Sequence, residues 1–147
     1  FFDNLSRITA GGAAPLNETL RRGALAARGS GVAVVLSDFL DPDGYESGLT
    51  ALVARGFQVT AIQILAPEEI DPTVFGDLRL IDSESGAIQE VTFAKHRLAQ
   101  YQKTLNNYCQ RLREFCQGRG IHYLPATSDA ALEQVLLRQL RESEVWG

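Results

Sequence analysis

The chain has 147 residues, of which 45% are hydrophobic, so one domain with a substantial core is expected. A net charge of −4 and a pI near 5.2 argue against a general nucleic-acid binder, which needs a basic patch. No apolar run approaches the roughly 18 residues of a membrane span, and no signal-peptide pattern opens the sequence.

The first residue and the cysteines indicate the origin of the chain and its cellular compartment. It contains no methionine and begins with Phe1, which we interpret as a piece cut from a longer protein. Cys109 and Cys116 lie seven residues apart on one predicted helix, hence roughly 10 Å apart and too far for a disulfide. We therefore expect reduced core thiols and a cytoplasmic location. The sequence does not decide whether the parent protein has a membrane anchor upstream of Phe1.

The first half of the chain alternates helices and strands. Helices are predicted over Leu16–Arg28 and Gly44–Ala54 from their apolar spacing. Between them, Val32–Ser37 opens with five unbroken apolar residues, a pattern typical of a parallel strand buried on both faces. The next strand, Phe57–Leu65, alternates apolar and polar residues, which predicts a position nearer the edge of the sheet.

The second half continues the pattern after a loop over Ala66–Asp77. Ser83–Gly86 separates two short extended runs and predicts a β-hairpin over residues 78–93. An apolar stripe at helical spacing follows, formed by Leu98, Tyr101, Leu105, Tyr108, Leu112 and Phe115. A short strand at Ile121–Leu124 and a last helix with Leu132 and Leu140 on its inner side complete an α/β chain with a parallel sheet.

Ser37 and Asp38 follow the most apolar strand, with Asp41 and Asp43 just beyond. Ligands gather at the carboxyl ends of parallel strands, and clustered oxygen atoms suit Mg²⁺ or Ca²⁺. The alternative, which the residues favour, is that Asp41 and Asp43 form turns and helix caps and that Asp38 caps a loop. His122 has no partner at ligand spacing, and we interpret it as structural.

The stretch Val34–Phe39 resembles the strand-and-aspartate motif of von Willebrand factor A domains. More particularly, it is similar to bacterial proteins that carry the domain of unknown function 58. Leu65–Glu69, Leu80–Gly86 and the helix around Tyr101 resemble the same family, so the likeness covers nearly the whole chain. It implies a Rossmann-like, three-layer α/β sandwich with a partial parallel sheet and an inserted hairpin. Residues 1–147 would be a single domain, the C-terminal part of such a fold.

The resemblance also implies a metal-ion-dependent adhesion site. Such a site has an Asp-x-Ser-x-Ser motif on the first strand, a threonine on a later loop, and an aspartate after the fourth strand. Asp38 matches the last aspartate, with Ser37 beside it, whereas Ala14 stands where the threonine belongs. The first motif would lie upstream of Phe1. We therefore expect an incomplete, degenerate site with no cofactor in this chain, and Mg²⁺ only in the full-length parent.

Two functions follow as hypotheses. The first is a non-enzymatic protein-interaction domain that works with a MoxR-type AAA+ ATPase, as the resemblance implies. The second is a metal-dependent hydrolase that uses Asp38 with residues upstream. We favour the first, because the sequence shows no nucleophile paired with a base. The resemblance further implies that the strand beside Val32–Leu36 is missing from this chain, so we expect an open sheet edge there through which two copies associate as a homodimer. The alternative is that the N-terminal segment folds over this edge and the chain stays monomeric.

Overall fold

The computed structural model describes residues 14–72, 76–81, 88–93 and 95–131, together with Arg7. In chain order the elements are α1 (Leu16–Ala26), β1 (Val32–Ser37), α2 (Glu46–Ala54), β2 (Gln58–Leu65), α3 (Pro67–Ile70), β3 (Gly76–Ile81), β4 (Ile88–Phe93), α4 (Lys95–Gln117) and β5 (His122–Thr127). The predicted alternation of helices and strands is confirmed, and β1 has the predicted bounds.

Three parallel strands form the main sheet in the order β1-β2-β5. In this register Val35 of β1 lies beside Ala61 of β2, which in turn lies beside Tyr123 of β5. The predicted parallel sheet is confirmed. The predicted hairpin is confirmed too, because β3 and β4 pair antiparallel with Ile81 opposite Ile88.

The core lies between the sheet and the helices α1, α2 and α4. Its buried members include residues from all of these elements: Ala24, Val35, Leu49, Leu52, Val59, Ala61, Leu112 and Cys116. The helices therefore cover the sheet face that carries Val35 and Ala61, and the described residues form a mixed α/β structure. The predicted last helix around Leu132 lies outside the described residues.

The prediction that β1 is buried on both faces is wrong. Val32, Val34 and Leu36 are 68%, 54% and 62% exposed, whereas Val35 is 7% exposed. Among the described residues β1 pairs only with β2, so it is an edge strand, as the resemblance implied. The three exposed residues point away from the face that the helices cover. An apolar run predicts a strand, but its burial depends on which elements lie beside it.

The prediction that β2 lies near an edge is also wrong, because β2 is the central strand. Its polar residues Thr60 and Gln63 are buried, at 8% and 1% exposed. Gln63 is accommodated because both ends of its amide are hydrogen-bonded. Its Nε2 donates to the Asp38 carbonyl oxygen at 2.9 Å, and its Oε1 accepts from the Tyr123 hydroxyl at 2.6 Å.

Helix α4 carries the predicted apolar stripe, with Leu105 and Leu112 buried and the stripe's aromatic residues half-buried. Cys116 belongs to the core and Cys109 is half-buried, and both thiols are free, as expected. The short helix α3 was predicted as loop. Pro67 suits its first position. No helix among the described residues has the length and apolar character that crossing a membrane requires.

Candidate functional site

The Asp38 cleft is an open depression of about 620 Å³ beyond the carboxyl end of β1. It is lined by the start of α1, the end of β1 and the loop that leads to α2, and its described residues are Ala14, Pro15, Leu16, Thr19, Ser37, Asp38, Leu40, Asp41, Pro42 and Asp43. The predicted site residues are thus brought together at the rim of the sheet, where parallel sheets place their ligands.

Phe39 gives the cleft its backbone geometry. It is the one described residue other than glycine with a positive φ, 61°, a conformation that costs about 1–3 kcal/mol. Its side chain is fully buried and meets the Tyr45 ring edge-on at 5.9 Å between centroids. Because the phenyl ring is anchored inside, the neighbouring Asp38 side chain is left exposed at the cleft.

Three hydrogen bonds hold this backbone turn, residues 37–40, which we call the Asp38 turn. Gln63 donates to the Asp38 carbonyl oxygen at 2.9 Å, and the Tyr108 hydroxyl donates to the carbonyl oxygen of Phe39. The Phe39 amide donates to Ser37 Oγ at 3.0 Å. The strained conformation is therefore fixed by side chains from β2 and α4 as well as from β1, so the Asp38 carboxylate has a defined position.

The Asp38 carboxylate also caps its own loop. Its Oδ1 accepts a hydrogen bond from the Leu40 amide at 3.0 Å, and the Ser37 hydroxyl lies 3.5 Å from the same oxygen. This confirms the interpretation of Asp38 as a loop cap. The residue nevertheless remains exposed, so the carboxylate is also accessible to a binding partner in the cleft.

Asp41 and Asp43 act as the turn and cap residues that the residue-based alternative predicted. Asp41 Oδ2 accepts from the Leu16 amide at 2.7 Å, and its Oδ1 accepts from the Asp43 amide at 2.8 Å. The carboxylate thus caps the positive end of α1, a favourable placement for a negative charge. The Asp43 carbonyl oxygen accepts from Asn17 Nδ2, whose Oδ1 accepts from the Gly48 amide at 2.8 Å. The loop is tied to both α1 and α2.

The donor atoms of the cleft do not fit a magnesium site by themselves. Mg²⁺ requires a near-octahedral shell of oxygen atoms. The oxygen donors that line the cleft are the carboxylates of Asp38, Asp41 and Asp43 and the hydroxyls of Ser37 and Thr19. Both oxygens of Asp41 already accept hydrogen bonds, and Ala14 contributes only a methyl group. Among the described residues, no three His, Cys, Asp or Glu side chains lie together as a metal site would need.

Thr19 is a cleft residue that the sequence analysis missed. It lies in the first turn of α1, four residues after Pro15, and the Thr19 amide donates to the Pro15 carbonyl oxygen at 3.0 Å. Helical spacing from Pro15 would have placed both residues on one face of the helix. Its hydroxyl is an additional polar group at the wall of the cleft.

The two tyrosines behind the Asp38 turn stay protonated at neutral pH. Burial raises the pKa of Tyr45 to about 12, with a further contribution from the negative charge of Glu46. Burial also raises the pKa of Tyr108, followed by the charges of Glu46 and Asp38. Because Tyr108 keeps its proton, its hydroxyl remains a donor to Phe39 across the physiological pH range.

Residues 12–110 match the family described as "Protein of unknown function DUF58". The chain belongs to this family. The DUF58 match includes the Asp38 turn and the two side chains that hold it, Gln63 and Tyr108, whereas Tyr123 lies beyond it.

Similar proteins occur in mycobacteria. Over 65 residues the chain is 40% identical to the uncharacterized protein MAV169 of Mycobacterium avium, a match that spans 44% of this chain and 38% of that protein. Over 63 residues it is 41% identical to the uncharacterized protein Rv1480 of Mycobacterium tuberculosis, spanning 43% of this chain and 20% of that protein. No solved structure matches the chain.

Proposed function

We propose that this DUF58 chain is a non-enzymatic protein-interaction domain of the von Willebrand factor A type, and that its partner binds at the Asp38 cleft. The observation that supports this most is the Asp38 turn. Its left-handed Phe39 costs free energy, and hydrogen bonds from two other elements maintain it. The result is an exposed carboxylate in a fixed position, which suits recognition of a partner.

The charge of the cleft indicates the chemistry of the partner. The described residues that line it include three aspartates and neither lysine nor arginine. A partner that places an arginine or lysine side chain against Asp38 would complement this charge. The resemblance to proteins associated with MoxR-type AAA+ ATPases supplies the class of partner, an ATPase subunit that presents a basic side chain.

The arrangement of polar groups favours recognition over catalysis. Ser37 Oγ accepts a hydrogen bond from the Phe39 amide, and its hydroxyl reaches only Asp38 Oδ1, at 3.5 Å, an oxygen that already accepts from a backbone amide. This long contact is a weak arrangement for activating a nucleophile, and the described residues of the cleft include no histidine or lysine that could serve as the base. His122 begins β5 and pairs with Thr60 in the sheet register, so it lies away from the carboxyl ends of the strands. A metal-dependent hydrolase that draws on upstream residues is the alternative that the experiment below separates.

The test is calorimetric titration of the longer parent protein with the MoxR-type ATPase of the same organism. Asp38→Asn keeps the shape of the side chain and its acceptor for Leu40 but removes the charge. Because a hydrogen bond to a charged group contributes about 1.5–3 kcal/mol, the variant should bind about tenfold to a hundredfold more weakly. Glu68→Gln, which removes an exposed charge on α3, is the matched control and should bind like the wild type.

Two results would contradict the proposal. One is equal affinity of the wild type and Asp38→Asn for the ATPase. The other is hydrolysis of a phosphate or peptide substrate by the parent that requires added Mg²⁺ and is lost in Asp38→Asn, which would instead support the metal-dependent enzyme.

A further inference from the structure

A second cavity of about 460 Å³ lies at the carboxyl ends of β2 and β5, against α4. Its interior is apolar, because the buried side chains of Leu65 and Leu105 line it. At its mouth stand two exposed polar side chains, Asn106 and Arg113. The volume falls within the range of small-molecule sites, which are mostly apolar with a few placed polar groups.

Arg113 is the one charged side chain among the described residues that line this cavity. Its guanidinium carbon lies 5.6 Å from the centroid of the Tyr123 ring, within the range of a cation–π contact. Within residues 14–72 and 97–131, no carboxylate forms a salt bridge with it. A guanidinium held over an aromatic ring has a planar set of donors that matches the two oxygens of a carboxylate.

We propose that this cavity binds a small amphipathic carboxylate, such as a phenylalkanoate or a medium-chain alkanoate. The apolar body of the ligand contacts Leu65 and Leu105, and its carboxylate binds Arg113 at the mouth. This orientation follows from the separation of the apolar interior from the cationic mouth. The site is separate from the Asp38 cleft, so this proposal does not depend on the proposed function.

The cavity is nevertheless connected to the Asp38 turn through Gln63. This side chain forms part of the cavity wall and donates to the Asp38 carbonyl oxygen at 2.9 Å. Tyr123, also in the wall, donates to Gln63 Oε1 at 2.6 Å. A ligand that packs against these two side chains alters the environment of the Gln63 amide group, which therefore reports on occupancy.

The experiment is a ¹H–¹⁵N NMR titration of the 147-residue chain with 4-phenylbutyrate. We expect saturable shifts of the Gln63 side-chain amide and of backbone amides in β5 near Tyr123. A ligand of this size should have a dissociation constant on the order of a millimolar. The alcohol 4-phenylbutan-1-ol, which has the same apolar body without the charge, should bind at least about fivefold more weakly.

Two variants make the assignment specific. Arg113→Gln should weaken 4-phenylbutyrate binding by at least about fivefold. Arg97→Gln removes the same charge from another exposed position on α4 and should leave the affinity within about twofold, because distant surface charges are screened. The amide spectrum of each variant shows that it is folded. The proposal is wrong if 4-phenylbutyrate produces no saturable chemical-shift change, or if the changes occur only at residues outside the cavity. Equal affinities of the wild type for the acid and the alcohol would also overturn it.

Discussion

The substitution Gln63→Leu tests whether a buried amide holds the Asp38 turn. It replaces a side chain that is 1% exposed with an apolar one of similar size, so little cavity is created. The Asp38 carbonyl oxygen loses its donor at 2.9 Å, and the Tyr123 hydroxyl loses its acceptor at 2.6 Å. Each hydrogen bond contributes about 1 kcal/mol, and a buried group left unpaired costs about 1–3 kcal/mol.

Both hydrogen bonds are partly buried, so each group left unpaired keeps some access to water and costs less than the full penalty. We therefore expect the free energy of unfolding to fall by about 2–4 kcal/mol. Urea denaturation followed by circular dichroism measures it. Gln58→Leu is the matched control: this glutamine is exposed on the same strand, and its replacement should change stability by less than about 0.5 kcal/mol.

A double-mutant cycle with Tyr123→Phe separates the two hydrogen bonds. We expect a coupling energy of about 1 kcal/mol between positions 63 and 123, since the two side chains share one hydrogen bond. Equal unfolding free energies for Gln63→Leu and Gln58→Leu would refute the assignment of Gln63 as the residue that holds the turn. A coupling energy of zero would refute its bond to Tyr123.

Three further predictions address packing, pH and association. Gly48→Ala should lower the free energy of unfolding by about 2 kcal/mol, because its Cβ would stand 2.8 Å from Leu20 Cβ; Gly23→Ala, with nothing within 4 Å, should raise it by about 0.5–1 kcal/mol. Urea titrations of both variants decide this, and a loss at both positions would contradict it. Since folding raises the pKa of Tyr45 from 10.0 to about 12, stability is retained below pH 10 and falls as the pH rises towards 12. Tyr45→Phe should show a shallower fall in the same pH series, and an identical slope would count against burial as the cause. The exposed edge at Val32–Leu36 predicts that the 147-residue chain forms a dimer, and light scattering that gives a monomer at high micromolar concentration would refute this.

The sequence predicted the bounds of the strands better than their burial. Five apolar residues at Val32–Leu36 indicate a parallel strand whichever position it takes, so its bounds were predictable. Its exposure was not, because that depends on the elements beside it in the sheet. The alternation of apolar and polar residues in Phe57–Leu65 suggested an edge strand, whereas its polar residue Gln63 is buried. Its burial becomes understandable only with Tyr123, a hydrogen-bond partner 60 residues away.

The sequence predicted the position of the candidate site but not the backbone conformation of the Asp38 turn or the hydrogen bonds that hold it. Ser37 and Asp38 follow an apolar strand, so their place at the rim follows from the general geometry of parallel sheets. The left-handed Phe39 was not visible in the sequence, because nothing local requires it. Its conformation depends on hydrogen bonds from Gln63 and Tyr108 to the turn, at sequence separations of 25 and 69. Such long-range contacts cannot be inferred from spacing along one chain.

Hydrogen–deuterium exchange on the complex of the parent protein with the MoxR-type ATPase tests the proposed docking site most directly. We predict that binding slows exchange in peptides covering residues 14–19 and 37–43, which line the Asp38 cleft. Peptides within residues 97–117 of α4 should exchange equally in the free and bound protein. Protection that spares residues 37–43 and appears on α4 would contradict the Asp38 cleft as the docking site.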